Sequence, residues 1–124
     1  MPRFAILEHT GAPDDPTGRH YDLLLEVDDS CRTWRLAEVP RAGGSPVAAF
    51  ELSPHRIAWL DTVAGEVSGD RGFVSRVAAG EYELLAGDLR DRRQASRVAV
   101  SGVSGCHTLT LTPSEDGCTV KASE

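Results

Sequence analysis

Three side chains near the start of the chain have the types and spacing of a metal-ligand set: His9, His20 and Asp22. His20 and Asp22 lie two apart in His20-Tyr21-Asp22-Leu23-Leu24-Leu25-Glu26, a run that reads as a strand. Alternate residues of a strand share a face, so His20 and Asp22 point one way while Tyr21, Leu23 and Leu25 point the other. His9 closes an earlier apolar run, Arg3 to Leu7, which is also strand-like. If the two strands are neighbours, two imidazoles and one carboxylate meet at one spot. Such a set suits a divalent metal with positions left open, and it accepts manganese, zinc or iron. On these residues alone, the plain alternative stands level: polar side chains on a solvated strand face.

The elements that must position these residues are legible as short strands between turns. Val27-Asp28-Asp29-Ser30 is a turn, so strands 20–27 and 31–36 form a hairpin. In the second strand Arg32, Trp34 and Leu36 share one face and Cys31, Thr33 and Arg35 the other, with Trp34 read as core. Either arginine could reach a phosphate, or serve as a surface charge. Thr10 to Gly18 holds two prolines, two glycines and the pair Asp14-Asp15, a loop whose two acids read as solvated. A second Pro/Gly-rich loop spans Pro40 to Pro46, and Ala48 to Leu52 is a short strand or turn. Ser53-Pro54 reads as a helix start, Ser capping and Pro in the first turn, with His55 beside it. Further strands are expected at 72–77, 81–86, 96–101, 107–112 and 118–122, punctuated by glycines. His107 opens one of these and reads as structural. The pattern predicts a mainly β fold: one domain over 1–124, a small closed or nearly closed antiparallel β-barrel with one or two short helices.

Composition narrows the function classes. The 124 residues carry a net charge of −6, which argues against gripping a long duplex and leaves room for a small site on one strand end. No run reaches the length of a membrane span and no basic-then-apolar leader opens the chain, so a cytoplasmic monomer with no membrane partner is expected. Cys31, Cys106 and Cys118 are odd in number and lack metal-type spacing, so free thiols are expected, with a Cys106–Cys118 hairpin pair as the alternative.

Four separated motifs, in order from Arg3 to about Leu85, resemble the 3′-phosphoesterase domain of bacterial ligase D. They are Arg3-Phe4-Ala5-Ile6-Leu7-Glu8-His9; His20-Tyr21-Asp22-Leu23 with Leu25-Glu26 and then Arg32-Thr33-Trp34; Pro54-His55-Arg56-Ile57-Ala58-Trp59-Leu60-Asp61; and Gly72-Phe73-Val74 through Gly80-Glu81-Tyr82-Glu83-Leu84. The resemblance implies a small β-barrel with its site in a groove at the inner face. It implies a metal-dependent enzyme, manganese being usual, that removes a terminal 3′-ribonucleoside and then a 3′-phosphate from DNA ends to leave a 3′-hydroxyl. His9, His20 and Asp22 match its metal ligands, and His55 its phosphate-contacting or acid histidine.

Two positions depart from the family pattern. Leu24 stands where members carry an arginine, and Trp59 replaces a tyrosine. Arg19, Arg35, Arg56 and Arg71 are candidates to supply the missing guanidinium, and the 10–18 loop is longer than the family's common spacing. The expected partners are DNA or DNA/RNA 3′ ends, with a DNA ligase or end-binding protein acting in trans. The alternatives are a non-catalytic metal-binding module on nucleic-acid ends, and a barrel serving another phosphorylated ligand.

Overall fold

A computed structural model describes residues 1–101, 108–115 and 117–124. The strand start at 107, His107 and the pairing of Cys106 with Cys118 lie outside the described residues. The chain is mainly β, as expected, and its strands close into an eight-stranded antiparallel barrel with one extra strand. In chain order the strands are β1 (Arg3–Thr10), β2 (Arg19–Val27), β3 (Ser30–Leu36), β4 (Val47–Arg56), β5 (Ala64–Glu66), β6 (Phe73–Ala86), β7 (Ser96–Val100), β8 (Thr108–Ser114) and β9 (Gly117–Ser123). Their order in the sheet is β1-β2-β3-β4-β9-β8-β7-β6-β5, and pairing of β1 with β6 makes the closure. No helix among the described residues is long and apolar enough to cross a membrane.

Alternation along the strands builds two unequal cores. Phe4, Ile6, Leu23, Leu25, Trp34 and Leu36 belong to the main cluster, to which all eight barrel strands contribute; it fills the barrel interior. The residues between them point outward. Ala5, Leu7, Leu24 and Cys31 form a smaller cluster on the outer wall, roofed by Leu60 with Ile57 and Trp59 packed against it. That roof is a 3-10 helix, Ile57–Asp61, and it replaces the one or two short helices expected. Burial pushes the Cys31 thiol up to about 11, so it stays a neutral apolar filler.

Two expectations about elements change. Ser53-Pro54 does not start a helix, because β4 runs on to Arg56. Thr33 pairs with Leu52 and Cys31 with His55, so the Ser53-Pro54 step falls in a bulge, where a residue without an N–H is tolerated. Residues 72–77 and 81–86 are not two strands but parts of the single 14-residue β6. Its first half pairs with β1 and β5 and its second with β7. Gly80 permits this crossing. A Cβ there would sit 2.8 Å from the Ser101 hydroxyl and 2.9 Å from its carbonyl oxygen, so the glycine marks a close approach of backbones rather than a break.

Candidate metal centre and phosphate groove

The hairpin register brings the three sequence-derived ligands together. His9 lies directly opposite His20, and Leu7 opposite Asp22. Partners across an antiparallel pair share a face, so both imidazoles and the carboxylate emerge on one side of the wall. The ring centroids of His9 and His20 are 4.8 Å apart. One ligand atom from each of the three residues lies within 4.8 Å of the others. This is the outer face, the one carrying Leu24 and Leu7, and not the inner face that the resemblance implies. The main cluster fills much of the interior, and the cavity of about 390 Å³ on that side is lined by Arg32, Trp34 and Leu111 among others and by none of the three ligands.

Hydrogen bonds to the far sides of the rings fix what each ring offers to the centre. His9 Nε2 lies 2.7 Å from the carbonyl oxygen of Arg71. A carbonyl only accepts, so Nε2 donates and the neutral ring keeps a lone pair on Nδ1. His20 Nδ1 lies 2.8 Å from Asp15 Oδ2. It donates there, leaving the lone pair on Nε2. Those two nitrogens face Asp22, at 3.8 Å for His9 Nδ1 and 3.4 Å for His20 Nε2. His20 Nε2 and Asp22 Oδ1 are buried without a hydrogen-bond partner among the described residues.

Three acceptors converge, with no donor between them, in a site where His20 is 3 % and Asp22 6 % exposed. Buried unpaired groups are costly, and a divalent cation would satisfy all three acceptors at once. Ligands held about 2.1 Å from a common tetrahedral centre lie about 3.4 Å from one another. The 3.4 and 3.8 Å separations to the two Asp22 oxygens are close to that, and a separation as wide as 4.8 Å within the set must shorten for all three to reach one ion. The donor types suit a divalent metal with sites left open.

Asp15 is the residue the sequence reading misplaced. It was expected to be solvated, yet its side chain is 6 % exposed and holds His20. Turns within the 11–18 loop fold it back: Asp15 N–H donates to Ala12 and Gly18 N–H to Asp15. The Thr17 N–H and hydroxyl both donate to Asp15 Oδ1. The Thr17 hydroxyl first, and then His20, draw its carboxyl down to about 2. The available signal was Asp-Pro-Thr, in which the Asp side chain bonds the backbone two residues on. Carboxylate–imidazole pairs of this kind fix a ligand's tautomer and orientation.

Asp15→Asn is expected to weaken metal binding about 10- to 100-fold, read by metal titration. The depressed carboxyl also implies that Asp15 supports the fold above about pH 4 and loses that contribution as the pH falls toward 2. Acid unfolding of Asp15→Asn should therefore be flatter across this window.

A groove of about 420 Å³ opens beside the cluster, lined by His9, Asp22, Arg35, His55, Trp59 and Arg71 among others. Arg35 is the cross-strand neighbour of Asp22. Its Nη2 donates to exposed Asp14 at 3.2 Å, while its buried Nε has no partner among the described residues. Beyond the bulge of β4, His55 stands edge-on to Trp59, ring centroids 5.9 Å apart, and its Nδ1 bonds the Ser53 carbonyl at 3.1 Å. That leaves Nε2 for the groove.

Arg19 is not brought in. It lies on the other face of β2, 63 % exposed, with Glu8 3.9 Å away. Arg71 lines the groove but its guanidinium is turned onto Ser68, and Arg56 is exposed opposite Ser30. Arg32, the other arginine of β3, is held by both oxygens of Glu51 and lies over Trp34. Leu24 is fully buried beneath the Leu60 roof, so position 24 does not face the groove at all. No family model and no curated protein matches this chain.

Proposed function

We propose that the chain is a metal-dependent phosphoesterase acting on DNA 3′ ends, removing a terminal 3′-ribonucleoside or 3′-phosphate to leave a 3′-hydroxyl. The observation that carries the reading is the convergence of His9, His20 and Asp22 as three acceptors beside the part-free guanidinium of Arg35. The choice of a DNA 3′ end rests on the ordered sequence resemblance, and manganese is the proposed metal on the same ground, with zinc and iron compatible with the ligands. The metal, when bound, supplies Lewis-acid polarisation of a phosphoryl oxygen and a more acidic water.

The protein's own groups divide the remaining work. Arg35 pairs with a phosphate oxygen and offsets the charge that grows there during transfer. His55 in its imidazolium form, with Nδ1–H held by the Ser53 carbonyl, donates its Nε2 proton to the leaving oxygen and is left as the neutral ring. Trp59 packs against the edge of His55 and holds it at the groove.

The test uses a labelled primer–template ending in one 3′-ribonucleotide or in a 3′-phosphate, with manganese added. Metal-dependent shortening or dephosphorylation is expected. Arg35→Ala should lower turnover roughly 100-fold, the scale for losing a charge-stabilising donor, while metal affinity is kept. Equal turnover in Arg35→Ala would remove the phosphate role assigned to it.

A second reading is a metal-binding module without turnover. It is favoured by Leu24, which puts an apolar, buried side chain where the family carries an arginine. Protein that holds manganese, binds the strand end and gives no product at high concentration would decide for it.

A further inference from the structure

One row of side chains crosses four strands on the outer wall. Leu7 of β1 opposes Asp22 of β2, Asp22 opposes Arg35 of β3, and Arg35 opposes Phe50 of β4. Neighbouring strands lie about 4.8 Å apart. The row therefore places a ligand carboxylate, a guanidinium and an aromatic ring at successive steps of about 5 Å on one face. Phe50 is 61 % exposed, although Phe4 and Trp34 of the same sheet are almost completely buried. It has every opportunity to turn an apolar ring to water and no interior role.

Phe50 borders a second cavity of about 370 Å³, within the size range of ligand pockets. Its apolar wall is Ala48, Phe50 and Leu52 of β4, and its polar wall is the 14–17 loop. Arg35, Asp14 and Leu52 line both this cavity and the groove, so the two adjoin across the guanidinium.

We infer that Phe50 is a stacking platform for an unpaired nucleobase whose phosphate is held at Arg35, so that the substrate class is a frayed or single-stranded strand end. This deepens the proposed function and rests on it. Every nucleobase has a flat π face, and an exposed aromatic next to a cation is how proteins hold unpaired bases without reading their sequence. A base stacked between neighbours within a duplex presents only its edges and backbone to this wall and leaves the ring uncovered. The net charge of −6 agrees with a short contact of this kind, since a protein tracking a long duplex needs many more cations. Asp14, 71 % exposed and bonded to Arg35 through one nitrogen, is displaced by the incoming phosphate.

The experiment measures binding of two strands that end in a hydrolysis-resistant 3′-phosphonate, by anisotropy, with manganese present. One strand carries its terminal base and the other is abasic at that residue. Phe50→Ala should weaken binding of the base-bearing strand roughly 5- to 100-fold and leave the abasic strand unchanged. Phe50→Trp should keep the preference. If Phe50→Ala binds both strands as the unchanged protein does, or loses both equally, the stacking role is overturned. Turnover on a 3′-phosphate strand, measured in parallel, keeps the two ideas apart. Turnover without base dependence overturns stacking alone, and base-dependent binding without turnover overturns hydrolysis alone. Failure of both strands to bind overturns both.

Discussion

Replacing Asp22 by asparagine is expected to abolish metal-supported turnover while making the metal-free protein more stable. The two effects have one cause. In the metal-free centre the carboxylate and the lone pairs of His9 Nδ1 and His20 Nε2 face one another at 3.8 and 3.4 Å without a proton donor. An asparagine amide supplies that donor in nearly the same volume. Satisfying a buried acceptor recovers on the order of 1 kcal/mol, or about 3–6 °C in Tm for a chain of this size.

The same amide carries no charge and aims N–H groups at the metal position. Losing the metal's contribution to transition-state charge, about 4 kcal/mol or more, lowers turnover at least a thousandfold. Thermal melts with and without manganese check both halves, since a bound metal stabilises by mass action. The unchanged protein should rise in Tm with manganese and Asp22→Asn should not. A metal-free Asp22→Asn that melts lower would mean that the carboxylate holds a protonated imidazole, and the metal assignment would fall.

Placing an arginine at position 24, where the 3′-phosphoesterase domains that the sequence resembles carry one, is expected to damage the protein rather than add to the proposed phosphate site. Leu24 has no exposed surface and lies under Leu60, with Ala5, Leu7 and Cys31 around it. Leu24→Arg forces a guanidinium into that pocket, whose packed walls are Ala5, Leu7, Cys31 and Leu60 and carry no acidic side chain. An uncompensated buried charge costs on the order of 3–5 kcal/mol. The urea midpoint should fall by about 2 M for a protein of this size. A fully folded Leu24→Arg with raised activity would show instead that the 57–61 roof lifts and that position 24 belongs to the groove. Arg35, one strand over and already at the groove wall, is the cation that the proposed function relies on.

Much of this centre was legible in the sequence because β structure has a period of two. The turn at Val27–Ser30 sets the β2–β3 register, and alternation then separates His20 and Asp22 from Leu23 and Leu25 without further information. Alternation does not say which face closes inward. The site was therefore expected at the inner face, although the apolar content of Leu23, Leu25, Trp34 and Leu36 had already claimed that side. Pro54 and Gly80 misled for a related reason. Both residues usually break local structure, and here one sits in a bulge and the other at a close backbone approach, features set by partners distant in sequence. Asp15 and Phe50 were missed because a loop acid and a strand aromatic gain meaning only once His20 and Arg35 are placed beside them.

The proposed outer-wall centre would draw all its ligands from residues 9–22, whereas the carbonyl bonded to His9 belongs to Arg71 and barrel closure needs β6. Order of assembly therefore matters. A hairpin forms in microseconds, while contacts distant in sequence wait for the rest of the chain. The nascent β1–β2 hairpin can present His9, His20 and Asp22 to ions before anything fixes the His9 ring. A half-built centre takes metals by affinity and abundance, which favours zinc over manganese. The finished barrel instead imposes a geometry. Refolding in equal zinc and manganese should then trap more zinc than exposure of the already folded protein to the same mixture, and the metal found in the protein would record when it was loaded.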